Sequence, residues 1–159
     1  MGKVLRFGGA RGRQEDVDEN WMFDGLEGLA IVIEDLDAGA MEAGLNRTNI
    51  QFHIEGRLAE IGIPVAPLIA AAEDEAIAVL CVAIGAEQHP AGPFACFLSL
   101  QVCDLATLAR NPAQGGGVIT WLANDFWASS LEDVQGDTME ALDEGLANLG
   151  KSFLVGRDA

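Results

Sequence analysis

The chain is short of cations. Its 159 residues hold 9 Lys plus Arg against 25 Asp plus Glu, a formal charge of −16, and Lys3 and Lys151 are its only lysines. So negative a surface repels nucleic acid and anionic lipid over most of its area, which argues against a nucleic-acid partner. It suits cationic partners, metal ions or high salt. The shortage is also uneven. Lys3, Arg6, Arg11 and Arg13 all precede the first acid, Glu15, so residues 14–159 carry −20 against −16 for the whole.

Other absences narrow the chemistry. Histidine occurs twice, at His53 and His89, far apart and without cysteine spacing, which gives no zinc site. Cys81, Cys96 and Cys103 form no CxxC and sit in apolar runs. They read as free core thiols, with one cross-strand disulfide and a leftover thiol as the alternative. The longest apolar runs, over residues 63–72 and 76–86, are about ten residues, whereas a membrane-spanning helix needs roughly 20. No transmembrane segment is expected. No P-loop, GxGxxG after a strand, HExxH, GxSxG or EF-hand is present. The sequence therefore assigns no catalytic residue, no metal ligand and no cofactor.

What remains is a globular composition. Half of the residues are hydrophobic, and the length fits one domain with a real core. Residues 1–20 read as a disordered arm, Gly- and Arg-rich and then acidic, and residues 21–155 as a single α+β domain. No apolar h-region follows the basic start, so the arm does not read as an intact secretory signal. The compartment, cytoplasm or periplasm, is left open.

The stretch from Gly44 to Val65 organises the rest. Ile50, Ile54, Leu58 and Ile61 are spaced four, four and three, one stripe of a 3.6-residue helix. Asn46 or Thr48 can cap its start, and Gly62 supplies a left-handed residue at its end. Pro64 then forbids helix. A second helix is expected from Val134 to about Phe153, with Leu142, Leu146, Leu149 and Phe153 on its stripe; Gly145 and Gly150 within it suit close packing.

Strands are expected at Leu29–Leu36, at Ile63–Pro67 as a proline-limited edge, at Ala76–Ala86, at Phe94–Leu105 and at Val118–Ala123. Ala76–Ala86 has no polar alternation, so it should be central and covered on both faces. In the return strand Phe94, Cys96, Leu98, Leu100 and Val102 take one face, and Phe97, Ser99, Gln101 and Cys103 the other. Residues 70–75 and 111–117 read as loops, and 124–132 as irregular. The expected fold is thus α+β, in the order β-α-β-β-β-β-α. A mainly antiparallel sheet of four to five strands carries two helices on one face.

Two groups of side chains invite a functional reading. Trp121, Asp125 and Trp127 place aromatics near a carboxylate, which can make a ligand pocket or a partner patch. The acids Glu34, Asp35 and Asp37 close the first strand, but without the spacing of a calcium loop.

The chain resembles a group of small uncharacterised bacterial α+β proteins, often exported. The pieces that carry the resemblance are Gly25-Leu26 with Leu29–Leu36, then Gly44-Leu45, then Glu55, Leu58, Gly62-Ile63 and Val65. The strands at Ala76 and Phe94 and the pair Thr120-Trp121 complete it. The resemblance spans most of residues 23–153. It implies a binding or assembly role in the cell envelope and brings no reaction and no functional residues. The expected function is a non-catalytic interaction module whose partner is another protein or a second copy. The alternative is a small-molecule or metal-dependent enzyme using carboxylates at strand ends, among them Glu34, Asp35, Asp37 and Asp125.

Overall fold

The structure is a computed structural model and describes residues 21–157. The arm of residues 1–20, and the disorder expected of it, lies outside them, as does the Trp21 side chain. After a 3-10 turn at Trp21–Phe23 the elements follow as β1 (Gly28–Ile33), α1 (Ala38–Glu42), α2 (Arg47–Ile61), β2 (Val65–Ala66), α3 (Leu68–Glu73), β3 (Ile77–Gln88), β4 (Phe94–Leu108), β5 (Asn111–Ser129) and α4 (Val134–Arg157). The fold is α+β. Five strands form one mixed sheet in the order β2-β1-β3-β4-β5. β1 pairs in parallel with β2 and β3, whereas the longer β3–β4 and β4–β5 ladders are antiparallel.

The two long helices form as their stripes dictate. Asn46 Oδ1 accepts from the N–H groups of Thr48 and Asn49, and Gly62 ends α2 at φ +93°. Ile50, Ile54 and Leu58 are fully buried against the sheet and α4, as are Leu142, Leu146, Leu149 and Phe153 of α4. The glycines of α4 sit where a methyl group has no room. A Cβ on Gly145 would lie 2.6 Å from Leu100 Cδ1, and one on Gly150 2.6 Å from Ile61 Cγ2. Gly145 thus lets α4 down onto β4, and Gly150 lets it close onto α2. Phe23 packs on Phe153 with ring centroids 5.7 Å apart, anchoring the start of the domain to α4.

Several expectations need correction. Among the described residues two short helices, α1 and α3, join the two long ones that were expected. Asp37 caps α1, its carboxylate accepting from Ala40 N at 2.8 Å and also from Ala86 N of β3 at 3.1 Å. α3 occupies most of the expected loop 70–75, where an alanine-rich run follows Pro67. β1 stops at Ile33, and the edge strand is reduced to Val65–Ala66. Residues 111–117 are strand, because β4 runs on to Leu108 and its partner follows through Gly117, Gly116 and Gly115, opposite Leu105, Ala106 and Thr107. Residues 124–129 are strand as well, opposite Ser99 to Phe94.

A further correction concerns β3. It is central, but among the described residues only one of its faces is fully covered. Ala78, Leu80, Val82, Ile84 and Ala86 are buried under the helices, whereas Val79, Cys81 and Ala83 on the other side are half-buried. Among the described residues no helix is long and apolar enough to cross a membrane.

Candidate functional site: the open side of the sheet

β4 alternates as its sequence requires, and that alternation defines two sides of the sheet. Phe94, Cys96, Leu98, Leu100 and Val102 are buried under the helices. Residues directly opposite each other on antiparallel strands share a side. Phe97 lies opposite Gly85 and Phe126, Gln101 opposite Cys81 and Leu122, and Cys103 opposite Val79 and Ile119. These residues form the open side. Thr120 has no opposite residue, which marks a bulge, and its hydroxyl donates to Val102 O. The bulge keeps Ile119 on the open side although Trp121 and Leu122 have used both directions.

Large apolar side chains are exposed on this side, as they are at Met41, Phe52, Leu68 and Ile69 elsewhere, but here they share one sheet surface. Phe126 is 75% exposed, Ile119 55%, Leu122 51% and Phe97 39%. Ala83, Ala95 and Ala128 lie between and beside them, with Ser99, Gln101 and Asn124 as polar residues. Glu87, opposite Ala95 at the end of β3, turns a carboxylate outward here, and Glu34, just past β1, brings a second one near Cys81. Gly85 is required by Phe97, whose ring would lie 2.1 Å from a Cβ at that position. Cys81 and Cys103 lie diagonally across this side with their sulfurs 3.9 Å apart, and all three cysteines are free. Burial, then the neighbouring Cys103, pushes the Cys81 thiol up to about 11. Cys96 alone is buried, on the helix side.

Past Cys103 and before Ile119, β4 and β5 have only each other. The hairpin projects beyond the sheet as a two-stranded ribbon that turns at residues 109–110, with Leu105 and Leu108 exposed.

Trp121, Asp125 and Trp127 do share one side, but it is the helix side of β5, and all three stand on one strand. Trp121 and Trp127 are half-buried against the core. The Trp127 Nε1–H is buried without a hydrogen-bond partner. Asp125 is exposed and accepts from its neighbour's N–H, Phe126 N, at 2.9 Å. Glu34, Asp35 and Asp37 follow β1, with two strands between it and β5, so Asp125 does not join them. Asp35 pairs with Arg47 at 2.9 Å, and Asp37 is the cap already described. Among the described residues no three His, Cys, Asp or Glu side chains come together as a metal cage would require.

Two features escaped sequence reasoning. His53 and Arg57 of α2 both hold Asp143 of α4. His53 Nε2 lies 2.6 Å from Asp143 Oδ1, and the Arg57 guanidinium donates to both carboxylate oxygens at 2.9 Å. Burial works to raise the Asp143 carboxyl, but the hydrogen bonds from Arg57 and His53 outweigh it and hold the group below its usual range. This is an interhelical clasp. The spacing of His53 and Arg57 puts them one turn apart on α2, but nothing local names a partner about ninety positions away. The second feature is a groove of about 670 Å³ between α2 and β2, lined by Ile31, Gln51, Glu55, Pro64 and Leu68. It exists because β2 pairs only with Leu29 and Ala30 and leaves the outer edge of β1 unpaired by strand from Ile31 onward.

The chain matches no protein-family model, no curated protein and no solved structure.

Proposed function

We propose that the protein is a non-catalytic interaction module that docks an uncharged protein surface on the open side of β3, β4 and β5. One observation carries this reading. On a chain of net charge −16, the paired lengths of β4 and β5 turn out no carboxylate on that side, and Glu34 and Glu87 stand at its β1 margin and at the end of β3, while Phe97, Ile119, Leu122 and Phe126 stand exposed. Exposed apolar side chains scattered singly need no explanation, but contiguous patches rimmed by polar residues mark interaction sites. Burying them yields about 25 cal/mol per Å² of apolar area, with few charges to strip of water. A charged partner would find no counter-charge there. An envelope setting follows from the resemblance to exported bacterial proteins rather than from this surface.

The test is a photo-crosslinking residue placed in the host at position 126 or 122, with position 140 on α4 as the control. Adducts at 126 and 122 and none at 140 are expected. Adducts that fail to form at either open-side position, or form equally at 140, defeat the reading.

A further inference from the structure

We infer that the surface taken up by the open side is the open side of a second copy. The inference rests on the docking reading above and identifies its partner.

Three occupants compete for this side. The chain's own arm is poorly matched, since eight of its twenty residues are ionisable, four of them cationic. It also joins the domain at the 3-10 turn, which packs against α4 on the far side of the sheet. A charged foreign partner meets no complementary charge. A second copy meets a surface with its own properties, uncharged against uncharged. Elsewhere two copies of net charge −16 repel. The open sides of β4 and β5 are where they can approach with the fewest opposing like charges, because the carboxylates nearby, Glu87 at the end of β3 and Glu34 after β1, lie away from β5.

Geometry agrees with charge. A two-fold axis through Phe126 and Leu122 makes the contact isologous, so it closes at two copies. Two twisted sheets stack about 10 Å apart with their side chains interdigitating. Three strands about 4.8 Å apart and about ten residues long give a flat footprint of roughly 480 Å². Side-chain relief and the ribbon carrying Leu105 add to it, toward the ~800 Å² per partner of a standard interface. The assembly would have four layers, with helices outside and two sheets within.

The experiment is sedimentation velocity on the full chain from low micromolar to about 100 μM, where a dimer of ordinary affinity is populated. The expected result is a 16.8 kDa species that converts to twice that mass. Phe126→Asp combined with Leu122→Asp should weaken the dimer roughly 100-fold, because it buries unpaired charge at the centre. Both residues are more than half exposed, so the far-UV spectrum and unfolding midpoint should not move. Hydroxyl-radical footprinting should show Phe126 and Phe97 protected in the dimer. A monomer at every concentration, a dimer that survives the double substitution, growth beyond two copies, or a dimer in which Phe126 stays reactive each overturns the inference. The last would mean pairing along the β5 edge. A monomer that nevertheless crosslinks a different protein at 122 and 126 would leave the interaction reading standing without self-pairing.

Discussion

At the scale of single residues the molecule is held by contacts that cross between elements. Asp143 is one, tied to His53 and Arg57 of the neighbouring helix. Its carboxyl is held below the usual range, so its contribution to stability is complete above the unfolded value near 3.9 and is lost as pH falls through the folded value. Asp143→Asn should therefore cost about 1 kcal/mol at neutral pH, allowing for solvent screening of a one-third exposed group. Urea unfolding of the two proteins should converge in strong acid; a gap that persists there would mean that Asp143 acts through packing alone. Gly39 makes a second kind of crossing. A Cβ there would sit 1.8 Å from the Ala86 carbonyl oxygen, which is backbone and cannot step aside. Gly39→Ala should cost toward the upper end of the ~1–3 kcal/mol typical of overpacking. Gly145→Ala should cost less, because what it meets is the end of the Leu100 side chain. Denaturant midpoints of the two variants give the order directly.

At the scale of elements, legibility followed periodicity. α2, α4 and β4 each bury one stripe or one alternating set, and their residues announce it: Ile50, Ile54 and Leu58 in α2, and Cys96, Leu98 and Leu100 in β4. Ile54→Ala in α2 should accordingly cost about 2–5 kcal/mol, read from chemical denaturation. β5 was legible only over residues 118–123, and the rest of it was hidden for a physical reason. Its helix side carries Trp121, Ala123, Asp125 and Trp127, and its open side Leu122, Asn124 and Phe126, so neither side is polar enough to produce a period of two. The glycines at 115–117 read as a loop, yet they lie opposite β4 in the ribbon, and a Cβ on Gly115 would sit 2.9 Å from Ala106 O. The open side itself misled in the same way. Apolar residues on both sides of β3 imply full cover on both, and the described residues leave Val79, Cys81 and Ala83 of the second side half-buried. The ribbon should behave apart from the sheet. A two-stranded piece is marginal alone, so amides of residues 104–118 should exchange with solvent far faster than those of residues 95–102. Equal protection of the two segments in hydrogen-exchange measurements would mean that something packs on the ribbon.

At the scale of the whole molecule, charge and surface are separated. Acids outnumber cations 25 to 9, yet the open sides of β4 and β5 carry none over their paired length, and the candidate docking surface was legible only as this shortage of charge once the strands had been aligned. Since the surrounding surfaces repel, added salt should tighten self-association, opposite to a dimer held by ion pairs. Sedimentation at low and at roughly 0.5 M salt decides the sign. The strand order has a further consequence, which concerns time. β3, β4 and β5 are consecutive hairpins, and hairpins form in about 1–10 μs. β1 reaches β3 only by closing the chain between Gly28 and Ile77, and α4, which roofs β4, leaves the ribosome after all three hairpin strands. For an interval, then, a nascent chain holds a three-stranded sheet that is apolar above and below. Its refolding yield should fall as protein concentration rises, and a chain lacking α4 should aggregate where the full chain does not.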